Sequence, residues 1–277
     1  MKKIVALLFL MLLFIPLSAQ NDSILAKKKI KNSATLLGIG SSNILDTYLS
    51  PISYQGLGII IRHEEIIKTN LLNNKLNIQQ MIDLHLSSLQ NPSKTAQEYF
   101  GSLNYTISGF YPLYSQSNFN FSAGPDLQIN FGGIYNTRNS NNPGSAIIDS
   151  HIGINTLATY QLKQYLFRLQ LSTPLFGVLF SPDYMNSYYE IFQLGNKKNT
   201  IHFSTPFVHQ ALDAYFTVDI PIKSFVLRSG YAVQFTNTNI NHLQTKMFNH
   251  FFMIGFVKET VRFSPKEVRN LNLNTAF

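Results

Sequence analysis

The sequence contains no cysteine and no tryptophan. Without cysteine it can hold neither disulfides nor thiolate metal sites, and no lipid-modified cysteine can follow a leader. Charge is scarce too, at 13% of residues, about half the share usual in soluble domains. A chain so poor in charge would ordinarily carry long apolar runs. Past the first 15 residues none approaches the ~20 that a membrane helix requires. Low charge without apolar runs points to a membrane barrel, in which every second residue faces lipid and its neighbours face the lumen. Catalytic fingerprints are also missing: there is no Gly-x-Ser-x-Gly elbow, phosphate loop, His-Glu-x-x-His or dinucleotide motif. Basic residues are not interleaved with aromatics, so no nucleic-acid partner is expected.

What is present begins with a secretory leader. Lys2 and Lys3 precede an apolar core from Ile4 to Phe14, and Pro16-Leu-Ser-Ala19 forms a small-residue exit before Gln20. The formal charge of +8 includes those two lysines, leaving about +6. Much of the rest lies in Lys27, Lys28, Lys29 and Lys31, read as a periplasmic basic leader over 20–33.

Beyond it, apolar and polar residues alternate. Val208, Leu212, Ala214, Phe216, Val218 and Ile220 share one face, opposite His209, Asp213, Tyr215, Thr217 and Asp219. Phe225, Leu227, Tyr231, Val233 and Phe235 oppose Arg228, Gly230, Ala232 and Gln234. Period two over such lengths means strands with one dry and one wet face. The pattern predicts an all-β, transmembrane, antiparallel up-and-down barrel of 10–12 strands over 34–260. The ten main strands are 34–43, 54–66, 75–88, 98–112, 117–133, 146–162, 165–175, 207–220, 224–237 and 246–259. A further hairpin from Phe176–Phe180 and Tyr188–Phe192 would make twelve. Pro125 should interrupt its ladder, and the strand around Phe251 to Val257 is apolar on both faces and cannot be phased. Residues 261–277 are a C-terminal tail or a short terminal strand. Connections alternate in length, so the longer set is read as extracellular. Phe and Tyr, 13% of the chain, suit interfacial girdles.

Three segments resemble a known family: Asp46-Thr-Tyr-Leu-Ser-Pro51 followed by Tyr54 and Gly56; Ser181-Pro-Asp-Tyr184 with Ser187-Tyr-Tyr-Glu-Ile-Phe192 and Leu194-Gly-Asn196; and Asn237 to Gly255. They resemble secreted proteins of unknown function from Gram-negative (Bacteroides-type) bacteria. The resemblance implies an outer-membrane-barrel-like protein and transfers no catalytic residue. Physically, Asp46 and Ser50-Pro51 suit turn-making. Asp46 and Tyr48 are candidates for a ligand-contacting loop or a rigid loop plug, and Tyr188, Tyr189 and Glu190 for a sugar platform or a girdle.

The wet faces locate any chemistry. Asp83 and His85, Asp149 and His151, and His209 with Asp213 are read near the extracellular end. Arg62, Arg168 and Arg228 are read near the periplasmic end, with Asp126 in the same lumen network. Charges facing a narrow lumen need partners, so a packed network is one reading. A second is an Asp/His constellation that activates water, general base with orienter. Outer-membrane proteases of the omptin type are ten-stranded with Asp and His at that height, an analogy of fold alone. A third is a metal site from His85, His151, His209 and carboxylates, although no metal or cofactor is expected.

The leading expectation is an outer-membrane barrel without enzymatic activity that binds a ligand or partner through its loops, or passes small solutes. Outer-membrane lipid, lipopolysaccharide and the barrel-assembly machinery are its expected partners. The alternatives are an outer-membrane hydrolase acting on peptide or lipid, and a secreted soluble β-protein.

Overall fold

A computed structural model describes residues 29–69, 71–73, 75–183, 186–222 and 225–262. The expected signal peptide, the expected leader up to residue 28 and the expected tail beyond 262 lie outside the described residues. The elements in chain order are β1 (Lys29–Asp46), β2 (Tyr54–Lys68), β3 (Asn77–Gln90), β4 (Gln97–Gln116), β5 (Phe119–Asn136), β6 (Gly144–Leu162), β7 (Tyr165–Phe180), α1 (Tyr188–Phe192), β8 (Ile201–Ser204), β9 (His209–Ile222), β10 (Phe225–Ile240) and β11 (Leu243–Arg262). Strand β1 therefore starts inside the segment read as leader.

Each long strand pairs antiparallel with its neighbours. β1 pairs with β2 on one side and with β11 on the other, from Lys29↔Arg262 to Asp46↔Thr245. β6–β7 and β7–β9 pairings complete the circuit. The result is a closed up-and-down barrel of ten long strands, with β8 a four-residue eleventh paired to the upper end of β7. Closure leaves no long sheet edge unpaired.

Alternation sets which side of the wall each residue takes. On β1, Leu36 is 1% exposed while its neighbour Leu37 is 58% exposed. On β3, Ile82, Leu84 and Leu86 lie outside, and Asp83 and His85 inside. The exterior is thus an apolar band fit for lipid. β11, unphased by its sequence, turns Phe251, Met253 and Val257 inward and Phe252, Ile254 and Phe256 outward. The β4–β5 ladder lapses between Asp126 and Ala123, where Pro125 has no N–H to give.

Residues 188–192 form a helical turn rather than a strand, so no twelfth strand exists among the described residues. Ser187 and Glu190 explain this: the Ser187 hydroxyl accepts from Glu190 N, and the Glu190 carboxylate accepts from Ser187 N at 2.7 Å. That reciprocal capping box starts a helix. At the loop end, long connections (47–53, 91–96, 137–143, 181–208) contrast with the short turns 117–118 and 163–164 at the other, where 69–76 is the long exception. The one tight connection at the loop end is Asn241-His242, where both residues have positive φ, as the twist of a two-residue hairpin requires.

Candidate active site at the loop end of the barrel

The middle of the barrel is filled by ion pairs. Arg62 on β2 donates to both oxygens of its cross-strand partner Asp83 on β3, at 2.7 and 2.6 Å, and reaches Asp213 on β9 at 3.3 Å. Arg228 forms the same fork with Asp219, at 2.5 and 2.6 Å, and a further contact with Glu64. Arg168 reaches Glu64 at 3.5 Å, and Tyr215 donates to that carboxylate at 3.3 Å. Glu64 is therefore the hub of the cluster, two residues beyond Arg62 on the same inward face, and the sequence reading passed over it. Bidentate pairing satisfies most of the lone pairs that burial would leave orphaned.

This arrangement differs from two separate layers of opposite charge. Asp83, expected in the upper layer, lies level with Arg62, and Asp213 faces Arg62 and Gln234. Asp126 contacts Ser172 and Gln128 rather than an arginine. His85 bonds Ser42 and Ser87 and sits between the rings of Phe100 and Phe251, 4.8 Å from each. Asp83 and His85 are thus apart from Asp149 and His151, and among the described residues no group of three or more His, Asp or Glu side chains is arranged to hold a metal ion.

The upper group is the one that converges. Asp149 and His151 are two apart on β6 and both face inward, so the carboxylate lies beside its own strand neighbour. His151 Nδ1 donates to Asp149 Oδ1 at 3.1 Å. Asn130, cross-strand from Asp149, donates to its other oxygen at 3.3 Å. With Nδ1 committed as donor to a carboxylate, neutral His151 presents an Nε2 lone pair. That lone pair accepts from Ser204 Oγ on β8 at 3.0 Å. The His209 ring stacks on the His151 ring, with centroids 4.2 Å apart, and His209 Nδ1 is 2.8 Å from the Thr238 hydroxyl.

A register shift places these groups. Leu175 is an extra residue in β7, between Pro174↔Gly153 and Phe176↔Ile152. The bulge leaves Leu175 and Phe176 both outside and sets Gly177 opposite both His151 and Ser204. A Cβ on Gly177 would lie 2.5 Å from His151 Cδ2, so only glycine leaves room for the imidazole. Ser204 escaped the sequence reading, which placed no strand between 175 and 207 other than a further hairpin from Phe176–Phe180 and Tyr188–Phe192.

Asp149, His151 and His209 line a cavity of about 120 Å³ together with Asp46, Tyr48 and Asn130. Asp46 is spent on the local turn, accepting from Tyr48 N at 3.0 Å. The Tyr48 hydroxyl donates to Asn186 O, and its ring meets Tyr188 edge-on at 5.4 Å. Burial, with Tyr188 beside it, pushes the Tyr48 phenol up to about 12. Tyr188 Oη accepts from Ala146 N at 2.6 Å, and Tyr189 is exposed. The Ser187 N–H and hydroxyl hold the Glu190 carboxyl below the usual carboxylate range, so it serves its own helix.

A family model described as a protein of unknown function (DUF3316) matches residues 5–267. The chain belongs to this family. No curated protein matches the sequence of this DUF3316 barrel. Among solved structures, the outer membrane protease OmpT from Escherichia coli is similar with a TM-score of 0.56 at 8% identity, over 88% of this chain and 100% of that one. The translocator domain of autotransporter NalP from Neisseria meningitidis matches with a TM-score of 0.42 at 9% identity, over 94% and 96%. The likeness to the protease is one of fold alone, and that fold, with its apolar exterior, is consistent with an outer-membrane barrel. The expectation of a barrel without enzymatic activity is overturned here. The fold is one a membrane protease also has, and a half-buried carboxylate, a buried imidazole and a buried hydroxyl stand in hydrogen-bonded series at its loop end.

Proposed function

We propose that this protein is an outer-membrane hydrolase that cleaves an acyl bond of peptide or lipid at the extracellular mouth. His151 is the general base and Asp149 its orienting carboxylate. One observation carries the reading: Asp149 Oδ1 holds His151 Nδ1 at 3.1 Å in the wall of the loop-end cavity. A carboxylate on Nδ1 fixes the tautomer that leaves Nε2 basic, and stabilises the imidazolium formed when Nε2 takes a proton. Asn130 and the stacked His209 hold the pair in place. The cavity limits the water around the reacting groups, which strengthens each electrostatic contact.

In the same reading, a signal peptide cleaved after Ala19 exports the chain, and the long connections face outward. Tyr48, Tyr188 and Tyr189 then rim the entrance, where an incoming ligand first meets the protein. The Asp46–Pro51 turn, closed by bonds to Asp46, fixes that rim.

The test is turnover of a panel of fluorogenic peptides, carboxylic esters and phospholipids by the purified barrel in detergent. His151→Ala and Asp149→Asn should each lower turnover by about a thousandfold or more, with the folded barrel retained on unheated gels. No turnover by wild type across the panel, or equal turnover by His151→Ala, would overturn the proposal.

A further inference from the structure

Both ring nitrogens of His151 are occupied, and the partner on Nε2 is a hydroxyl rather than open space. We infer that Ser204 is the nucleophile of this site, so that the reaction proceeds through an acyl-serine. The inference rests on the hydrolase reading and adds what a general base alone leaves open, namely which atom attacks.

The geometry around Ser204 is specific. It is the last residue of β8, directly across from Gly177, and its Oγ lies 3.0 Å from His151 Nε2. Beyond it the chain leaves the ladder for one turn, in which Thr205 O accepts from both Val208 N and His209 N, at 3.0 and 2.9 Å. The chain then re-enters the wall at His209, whose ring lies on His151. Residues 204–209 therefore enclose the imidazole, with the hydroxyl at its Nε2 edge and a second ring on its face. A water molecule acting as nucleophile would need that Nε2 lone pair, which Ser204 already holds. The proton that His151 is placed to take is the one on Ser204.

The chemistry balances with water as the only co-reactant. Oγ bonds to the acyl carbon as its proton passes to His151 Nε2. The tetrahedral adduct collapses, the bond to the leaving oxygen or nitrogen breaks, and that group leaves with the proton from His151. Water then attacks the acyl-serine, again giving a proton to His151, and the carboxylic acid departs as Ser204 regains its hydrogen. Ser204 is 1% exposed and does not itself line the cavity that His151 lines, so a compact probe is required.

The experiment treats the full-length barrel in detergent with phenylmethylsulfonyl fluoride and with a short-chain alkyl fluorophosphonate, and maps adducts by mass spectrometry. Wild type should carry the adduct on Ser204. His151→Ala should label at least about a hundredfold more slowly, an effect that a merely structural hydrogen bond would not produce. Ser204→Ala should lose hydrolysis as fully as His151→Ala does, with heat-modifiable gel mobility showing that each variant is folded. Ser204→Cys, which keeps a nucleophile of similar size, should be alkylated by iodoacetamide faster than the same variant carrying His151→Ala. If Ser204→Ala hydrolyses like wild type while His151→Ala does not, water is the nucleophile, and the inference falls while the hydrolase reading stands. If no substrate in the panel turns over but Ser204 is still labelled in a His151-dependent way, the serine stands and the hydrolase reading falls. No adduct and no His151-dependent alkylation overturns the inference.

Discussion

At the scale of single residues, the site depends on an absence of side chain. Gly177 lies across the ladder from His151. A Cβ there would approach Ser150 O to 2.2 Å, backbone that cannot swing aside, and His151 Cδ2 to 2.5 Å. Gly177→Ala should therefore shift the imidazole and the local ladder together. Overpacking of this kind costs about 1–3 kcal/mol, which a closed ten-stranded barrel should tolerate. A displacement near 1 Å at reacting groups costs about a hundredfold in rate. The expected outcome is a folded, heat-modifiable barrel with turnover reduced by about that factor. Full turnover by Gly177→Ala would mean that the reaction does not depend on where His151 sits.

At the scale of elements, the loop end is built where β6 outruns β7. The β6–β7 ladder ends at Asp149↔Leu179, while β6 continues up to Gly144. Ala146 N would be left facing open space there, and the Tyr188 hydroxyl of α1 takes it at 2.6 Å. Tyr188→Phe removes this acceptor and keeps the ring stacked on Phe192. An unmade bond of this kind costs about 1–3 kcal/mol, and the effect should be local. Hydrogen exchange at Ala146 should quicken by at least about tenfold, with the β1–β2 ladder unchanged; exchange that stays the same would show that Tyr188 does not cap the strand.

The same stretch marks where the sequence stops being readable. Alternation alone places Arg62, Asp83, Asp149, His151, His209 and Arg228 on inward faces, because each lies on an uninterrupted strand. It assigns heights less well: Arg62 and Asp83 were read at opposite ends, yet they are directly cross-strand, because strands tilt and stagger around a barrel. Ser204 was unreadable for a different reason. Counting in twos from Arg168, Gln170 and Ser172 turns Phe176 and Val178 inward, whereas the bulge at Leu175 puts them outside and Gly177 and Leu179 inside. The excursion at 205–208 shifts the phase again before His209. Across two such slips, periodicity cannot say which face Ser204 occupies. The helix over 188–192 was legible in principle, through Ser187-x-x-Glu190, but aromatic content at a barrel rim favoured a strand.

At the scale of the whole molecule, the question is whether the barrel conducts. Side chains from opposite walls meet in its interior. Gln79 on β3 and Gln170 on β7 exchange reciprocal hydrogen bonds at 3.1 and 2.8 Å. Glu64 on β2 reaches Arg168 on β7, Tyr215 on β9 and Arg228 on β10. The Arg62 guanidinium lies 4.5 Å above the Tyr215 ring. Arg62, Arg228, Phe251 and Met253 are all buried. A continuous water path would have to break these contacts, and removing one partner of a buried ion pair costs about 3–5 kcal/mol. The population open by thermal fluctuation is then at most about one in a hundred. The purified barrel in a planar bilayer should give no stable unitary steps at moderate voltage, in contrast to a water-filled porin. Regular steps from wild type would show that the Glu64 cluster yields as a gate, and that the cavity at Asp149 and His151 is the vestibule of a channel; a silent bilayer leaves that cavity a blind pocket, entered and left from the loop end alone.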